Sequence, residues 1–294
     1  VLIIFTAKSF LENPYCEANT QSSKALELRI KTMISIRPSA VAGLYYPARS
    51  TELEDLLTKQ FDKPSDHIHH RAKALIVPHG GYFYSGQVAA MAYQSLIKIA
   101  DDIERVILIG PSHRTDFKGV AMSEADYFAT PMGSVAVDKK IYPQLSRIKG
   151  VETYESPHDS EHCLEVQLPF LQYSLNQFEI VPLLTGKASS SLIADVLGAA
   201  TQDAKSLIVI SSDLSHYLDY ETARKIDQYT SQAIISMDNH DIDKFHACGC
   251  DAIRGFLEYA RNENMSGQIM ALSNSGDVVG KKESVVGYGA YLFE

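Results

Sequence analysis

Ser206-Leu207-Ile208-Val209-Ile210 runs straight into Ser211-Ser212-Asp213-Leu214-Ser215-His216, and the junction between these two stretches decides the reading of the chain. An aliphatic run of this length has no polar face, so it reads as a strand buried on both sides. A polar tip follows it at once. The same pattern recurs in Ala74-Leu-Ile-Val before Pro78-His79-Gly80-Gly81, in Arg105-Val-Ile-Leu-Ile before Gly110-Pro111-Ser112-His113, and in Glu179-Ile-Val-Pro-Leu-Leu before Thr185-Gly186. Between the runs, helical spacing of apolar residues marks 85–99, 164–174 (with Pro169 as an interruption), 220–237 and 251–261. Residues 285–293 alternate well enough to close the sheet as a last strand. Strands alternating with helices imply an α/β fold of one domain, with a central, mostly parallel or mixed sheet flanked by helices.

Composition narrows the function classes. The chain has 294 residues, 45% of them hydrophobic and 21% charged, which excludes disorder and coiled coil. Asp and Glu outnumber Lys and Arg by 36 to 27, a net charge of −9. An acidic chain has no overall attraction to nucleic acid or to anionic membrane, and no apolar stretch reaches the ~20 residues that span a bilayer. Four scattered cysteines, Cys16, Cys163, Cys248 and Cys250, do not make a disulfide framework and fit a reducing cytoplasm. The apolar start, Val1-Leu-Ile-Ile-Phe, lacks a preceding basic region and makes a poor secretory signal. Residues 1–32 read as an N-terminal extension ahead of a domain at 33–294, with an extra helix at 23–34 as the alternative.

In an open α/β sheet, ligands sit outside the carboxyl ends of the strands. Those ends carry His79, His113 and the Asp213–His216 pair, so three runs deliver acid–base or metal-ligating groups to one edge. The glycines after His79 allow a sharp turn and a close ligand approach. Tyr82 and Tyr84 line a pocket or simply pack. Ser112 is a small neighbour that leaves room for an ion beside His113. In His158-Asp-Ser-Glu-His162-Cys-Leu-Glu165, a helix over 161–173 would put His162 and Glu165 on one face as ligand and supporting carboxylate; the plainer reading is helix capping. His246-Ala-Cys248-Gly-Cys250-Asp251 lacks the paired C-x-x-C of a structural zinc site. One thiolate from Cys248 or Cys250 with two strand-end histidines makes a mixed three-ligand site with open positions. His67, His69 and His70 read as a solvated loop, Cys163 as a small packed residue.

Taken together, Pro78-His79-Gly80-Gly81-Tyr82, Gly110-Pro111-Ser112-His113, Glu161-His162-Cys163-Leu164-Glu165, Ser211-Ser212-Asp213-Leu214-Ser215-His216 and Cys248-Gly249 resemble the motifs of the Memo family, over residues 37–294. The resemblance implies a fold similar to the class III extradiol dioxygenases of the LigB type. It implies a metal site of His79, His113 and Cys248, with Asp213 and His216 close by as catalytic groups, and iron or copper as the metal. Zinc also suits these donors. A Cys stands where the dioxygenases use a carboxylate, which separates the chain from ring cleavage. In microbes the family is often encoded beside radical-SAM and AMMECR-type proteins, the AmmeMemoRadiSam grouping, which implies a functional link to them. The leading expectation is a metal-dependent redox enzyme acting on a small molecule. The alternatives are a phosphopeptide-binding scaffold that has lost turnover and, last, a Cys248/His hydrolase.

Overall fold

The four aliphatic runs form the parallel heart of a nine-stranded mixed sheet in the computed structural model, which describes residues 34–62, 72–202 and 205–294. The extension at 1–32 with its Cys16, and His67, His69 and His70, lie outside the described residues. The chain divides after Ser35, and Ile36–Glu294 make up one unit. Its central strands are β2 (Ala74–Val77), β3 (Arg105–Pro111), β8 (Glu179–Thr185) and β9 (Ser206–Ser211), side by side in the order β2-β9-β3-β8 and all parallel. Nearly every residue in them is buried, because helices cover both faces. Each aliphatic side chain buried in this way stabilises the fold by roughly 1.5–3 kcal/mol against exposure.

Parallel register has a direct consequence for the site. Val77 pairs with Ser211, Ile109 with Ile210 and Pro111 with Thr185, so the four tips emerge at one edge. The closing strand β12 (Val285–Phe293) runs antiparallel to β2, pairing Tyr291 with Ile76, and its beginning therefore reaches the same edge. β10 (His216–Leu218) and β11 (Gly267–Asn274) both add to β12, and β4 (Val120–Met122) and β7 (Val151–Thr153) extend the other side. A separate three-stranded sheet is built from β1 (Ile36–Arg37), β5 (Tyr127–Thr130) and β6 (Gly133–Ala136).

Hydrophobic spacing places some helix starts correctly and misplaces others: the helix expected from 85 opens at Tyr82, the one expected from 164 opens only at Leu168, and the one expected from 220 opens at Tyr220. α1 (Ser50–Phe61) precedes the sheet, and α2 (Tyr82–Tyr93) opens directly after Gly81 and continues as 3₁₀ turns over Gln94–Asp102. After a short α3 (Tyr142–Leu145), α4 (Leu168–Ser174) carries Pro169 in its first turn, where a missing N–H costs nothing. Pro169 thus begins the helix instead of interrupting it. α5 (Ser190–Ala200) and α7 (Cys250–Asn262) pack on each other; α6 (Tyr220–Ile235) covers β12 and β11, and a one-turn α8 (Ser275–Val279) links β11 to β12. Of the expected helix over 161–173, only the part from Leu168 onward forms, as α4. Glu161 and His162 lie in an irregular stretch, and only a 3₁₀ turn at Glu165–Gln167 leads into α4.

Among the described residues, no helix is long and apolar enough to cross a membrane.

Candidate metal centre

The strand tips surround a cavity of about 750 Å³, a volume typical of small-molecule sites. His79, His113 and His162 meet on its floor. The His79 ring stands edge-on to His113 at 5.0 Å between centroids and to His162 at 5.3 Å, while His113 and His162 stack at 4.8 Å. One ring nitrogen from each lies within 4.8 Å of the others. The Sγ of Cys248 lies 3.2 Å from Nε2 of His79.

Two backbone features bring Cys248 there. Its N–H donates to Asp213 O, and Gly249 N–H donates to Ser212 Oγ at 2.9 Å, so the start of α7 rests on the β9 tip. Position 249 has no space for a side chain, since a methyl there would stand 2.7 Å from Ser212 Cβ. Gly110 does the same for the loop opposite, where a methyl would stand 2.8 Å from Cys163 Sγ.

Glu161 sets the orientation of two of the rings. Its Oε1 accepts from Nδ1 of His113 at 2.9 Å and from Nδ1 of His162 at 3.1 Å, and its Oε2 accepts from the His113 backbone N–H at 2.7 Å. Burial alone would raise the Glu161 pKa, but the two imidazole bonds outweigh it and hold the carboxyl well below its ordinary range. A carboxylate can only accept, so both rings carry a proton on Nδ1 and turn Nε2 away from it. His216 has the same polarity, because its Nδ1 donates to the Leu214 carbonyl at 2.8 Å. His79 is almost fully buried, and burial, followed by the facing His113 and His162, pushes its pKa well below 6.5, so it stands neutral. Burial, with the nearby Asp213 charge, pushes the Cys248 thiol up to about 12, so without a cation it stays protonated.

Eight of the residues singled out in the sequence line this cavity: His79, His113, Cys248, His162, Asp213, His216, Tyr84 and Ser112. Asp213 accepts at one oxygen from the backbone N–H groups of His79 and Gly80, at 2.7 and 3.2 Å, and so shapes the turn that presents His79. Burial nevertheless raises its pKa.

Two others lie elsewhere. Tyr82 packs in the core against Tyr46 and Phe170 and donates its hydroxyl to Val166 O. Glu165 is fully buried among Arg37 Nη1 at 2.7 Å, the N–H groups of Ala40 and Val41, and the Tyr46 hydroxyl. It pins the segment that carries Tyr45 to the cavity wall, and it touches no histidine of the site. The cause is the missing start of the helix: with 161–164 irregular, the supporting carboxylate is Glu161, directly before His162. Its signal in the sequence was adjacency to a histidine, not helical spacing. Tyr45 and Tyr288 also line the cavity. Tyr288 was legible in principle, since a closing antiparallel strand must begin at the edge where the parallel strands end.

Residues 37–292 match the family model described as Memo-like protein. The chain belongs to the Memo family. Its relatives within the family include the MEMO1 family protein of Nitrosopumilus maritimus, 34% identical over 278 residues that cover 88% of this chain and 99% of the relative. That of Aquifex aeolicus is 33% identical over 271 residues, again 88% of this chain and 99% of the other. Among solved structures, the uncharacterized protein JW3007 from Escherichia coli K12 aligns with a TM-score of 0.47 and 10% identity, over 75% of this chain and 99% of that one. The cavity of this Memo protein is thus built from the parts that the matched region spans, from Leu44 to Tyr288.

Proposed function

We propose that this Memo protein is a metal-dependent redox enzyme of oxygenase or oxidase type, with iron or copper held by His79, His113 and Cys248. The observation that carries the reading is convergence: imidazole nitrogens and one thiol meet in a single cavity. Donors on a tetrahedral ion, with bonds of about 2.0–2.3 Å, stand roughly 3.5 Å apart. The 3.2 Å between His79 Nε2 and Cys248 Sγ is close to that spacing. Imidazole with thiolate suits iron, copper and zinc. His162 offers a further nitrogen in the same cluster. When bound, the ion supplies electron transfer and open positions for oxygen or an organic substrate.

The chain's own residues do the rest. Neutral His79 needs no deprotonation to ligate, whereas Cys248 must release its proton, so affinity rises with pH. Glu161 keeps His113 and His162 turned inward. His216, its Nδ1–H committed to Leu214 O, offers Nε2 as the group that takes up or returns a substrate proton.

Elemental analysis of protein purified without an affinity tag tests the reading. About one iron or copper per chain is expected, lost in Cys248→Ser and in the double variant His79→Ala, His113→Ala. Protein that is metal-free and cannot be reconstituted overturns it. A second reading, binding of a phosphopeptide without turnover, draws on the exposed Leu44, Tyr84 and Tyr217 at the cavity mouth. Micromolar phosphotyrosine-peptide binding that survives the double His variant would favour that scaffold over the enzyme.

A further inference from the structure

Behind His79 lies a buried hydrogen-bond chain that the proposed function leaves without a role. Ser211 is fully buried at the end of β9, and its Oγ has three neighbours: Cys163 O at 2.7 Å, Gln167 Nε2 at 2.9 Å and His79 Nδ1 at 3.0 Å. Gln167, also fully buried, is fixed in orientation because the same Nε2 donates to the Pro78 carbonyl at 2.9 Å, while its Oε1 accepts from the Tyr93 hydroxyl. The amide nitrogen therefore faces Ser211 as a donor.

A hydroxyl has one hydrogen and two lone pairs. The Cys163 carbonyl can only accept, so it takes the hydrogen; one lone pair takes the Gln167 N–H. The second lone pair is left for Nδ1 of His79, which must then be the donor. In the other tautomer the hydroxyl would have to turn to Nδ1, and the Cys163 carbonyl would lose its donor. A buried acceptor stranded in this way disfavours that tautomer by roughly tenfold or more.

We propose that Ser211, oriented by Gln167 and the Cys163 carbonyl, is a positioning residue that fixes His79 as the Nδ1–H tautomer and keeps a bare Nε2 facing Cys248 before any ligand arrives. The tautomer is a property of the metal-free protein; only its consequence for ion binding rests on the reading of His79 as a donor. With Glu161 setting His113 and His162, all three floor imidazoles are then aligned by partners that never enter the cavity. Outer hydrogen bonds of this kind are worth 10- to 100-fold in metal affinity.

Two-bond ¹H–¹⁵N correlation spectra of metal-free, ¹⁵N-histidine-labelled protein test it at neutral pH, with the His79 signals identified by their loss in His79→Gln. The wild type is expected to show a protonated Nδ1 and a bare Nε2. Ser211→Ala moves the population toward Nε2–H and weakens Co(II) binding 10- to 100-fold, and Ser211→Thr, which keeps the hydroxyl, restores both. A bare Nδ1 in the wild type overturns the proposal without need of a variant, as does an unchanged tautomer in Ser211→Ala. Should the tautomer respond as expected while the wild type fails to bind Co(II), the positioning role stands and the metal reading falls. Should Co(II) bind the wild type and Ser211→Ala equally, the metal reading stands and the positioning role falls.

Discussion

Glu161, behind the cavity floor, holds two imidazoles with a single oxygen. Its Oε1 also accepts from the backbone N–H groups of His162 and Cys163 at 2.9 and 3.1 Å. Replacing it by Gln puts an amide NH₂ in a place built entirely of donors. Either oxygen position that becomes nitrogen then faces an N–H: the imidazoles in one orientation, the His113 backbone in the other. Glu161→Gln is expected to lower metal affinity 10- to 100-fold, read by competition with a chelator. It should also cost about 1–3 kcal/mol in denaturant unfolding, from buried donors left unpaired. A variant with wild-type affinity would show that ring orientation at His113 and His162 is set elsewhere. The residue scale is also where the sequence misleads most. Glu161 and Glu165 both flank His162 and are equally buried carboxylates, and only the absence of a helix at 161–164 decides which one reaches the histidines.

At the scale of elements, β2, β3, β8 and β9 are legible because a strand buried on both faces must be aliphatic throughout, and that pattern survives without knowledge of its neighbours. The cavity follows from them, since parallel strands put all their tips at one edge. The small sheet of β1, β5 and β6 is not legible: strands of two to four residues carry no period, and their pairing is decided by partners distant in sequence. Two helix starts fail for a related reason, as Gly81 and Pro169 set them by backbone geometry while hydrophobic spacing reports only the buried face. Two glycines, one directly before α7 and one within α5, separate these effects. Gly249→Ala forces the start of α7 off the β9 tip and moves Cys248 from His79; it is expected to cost about 1–3 kcal/mol, as overpacking does, and to weaken metal binding. Gly198 in α5 has only Tyr259 within reach of an added methyl, at 3.9 Å. Gly198→Ala should therefore stabilise the fold by about 0.5–1 kcal/mol and leave metal binding unchanged. Thermal unfolding and metal titration of the pair check both signs; equal affinity in the two variants would show that the approach of α7 does not place the thiol.

Across the whole molecule, His158 sits where the small sheet meets the large one. Its Nε2 donates to Ala121 O in β4 at 3.1 Å, its own carbonyl accepts from Arg37 Nε in β1 at 2.7 Å, and its ring lies edge-on to Phe128 in β5. Burial lowers the imidazole pKa to about 4; the bond to Ala121 O works against the shift and the Arg37 charge adds to it. An unfolded chain protonates this histidine near pH 6.5, so between pH 6.5 and about 4 the unfolded state binds a proton that the folded state refuses. Stability contributed by the neutral ring is thus fully present above pH 6.5 and is lost as the pH falls, at up to about 1.4 kcal/mol per pH unit and by roughly 3 kcal/mol in all. His158→Gln keeps an N–H donor for Ala121 O but cannot titrate. Urea unfolding of the two proteins at several pH values between 7 and 4 should show the wild type losing stability faster, with the difference opening below pH 6.5. His79, held low by burial as well, adds an acid loss of the same sign to both proteins, so the difference isolates His158. Parallel decline of the two curves would mean that the junction between the sheets tolerates the charged ring, with Arg37 or the Ala121 strand yielding to admit water.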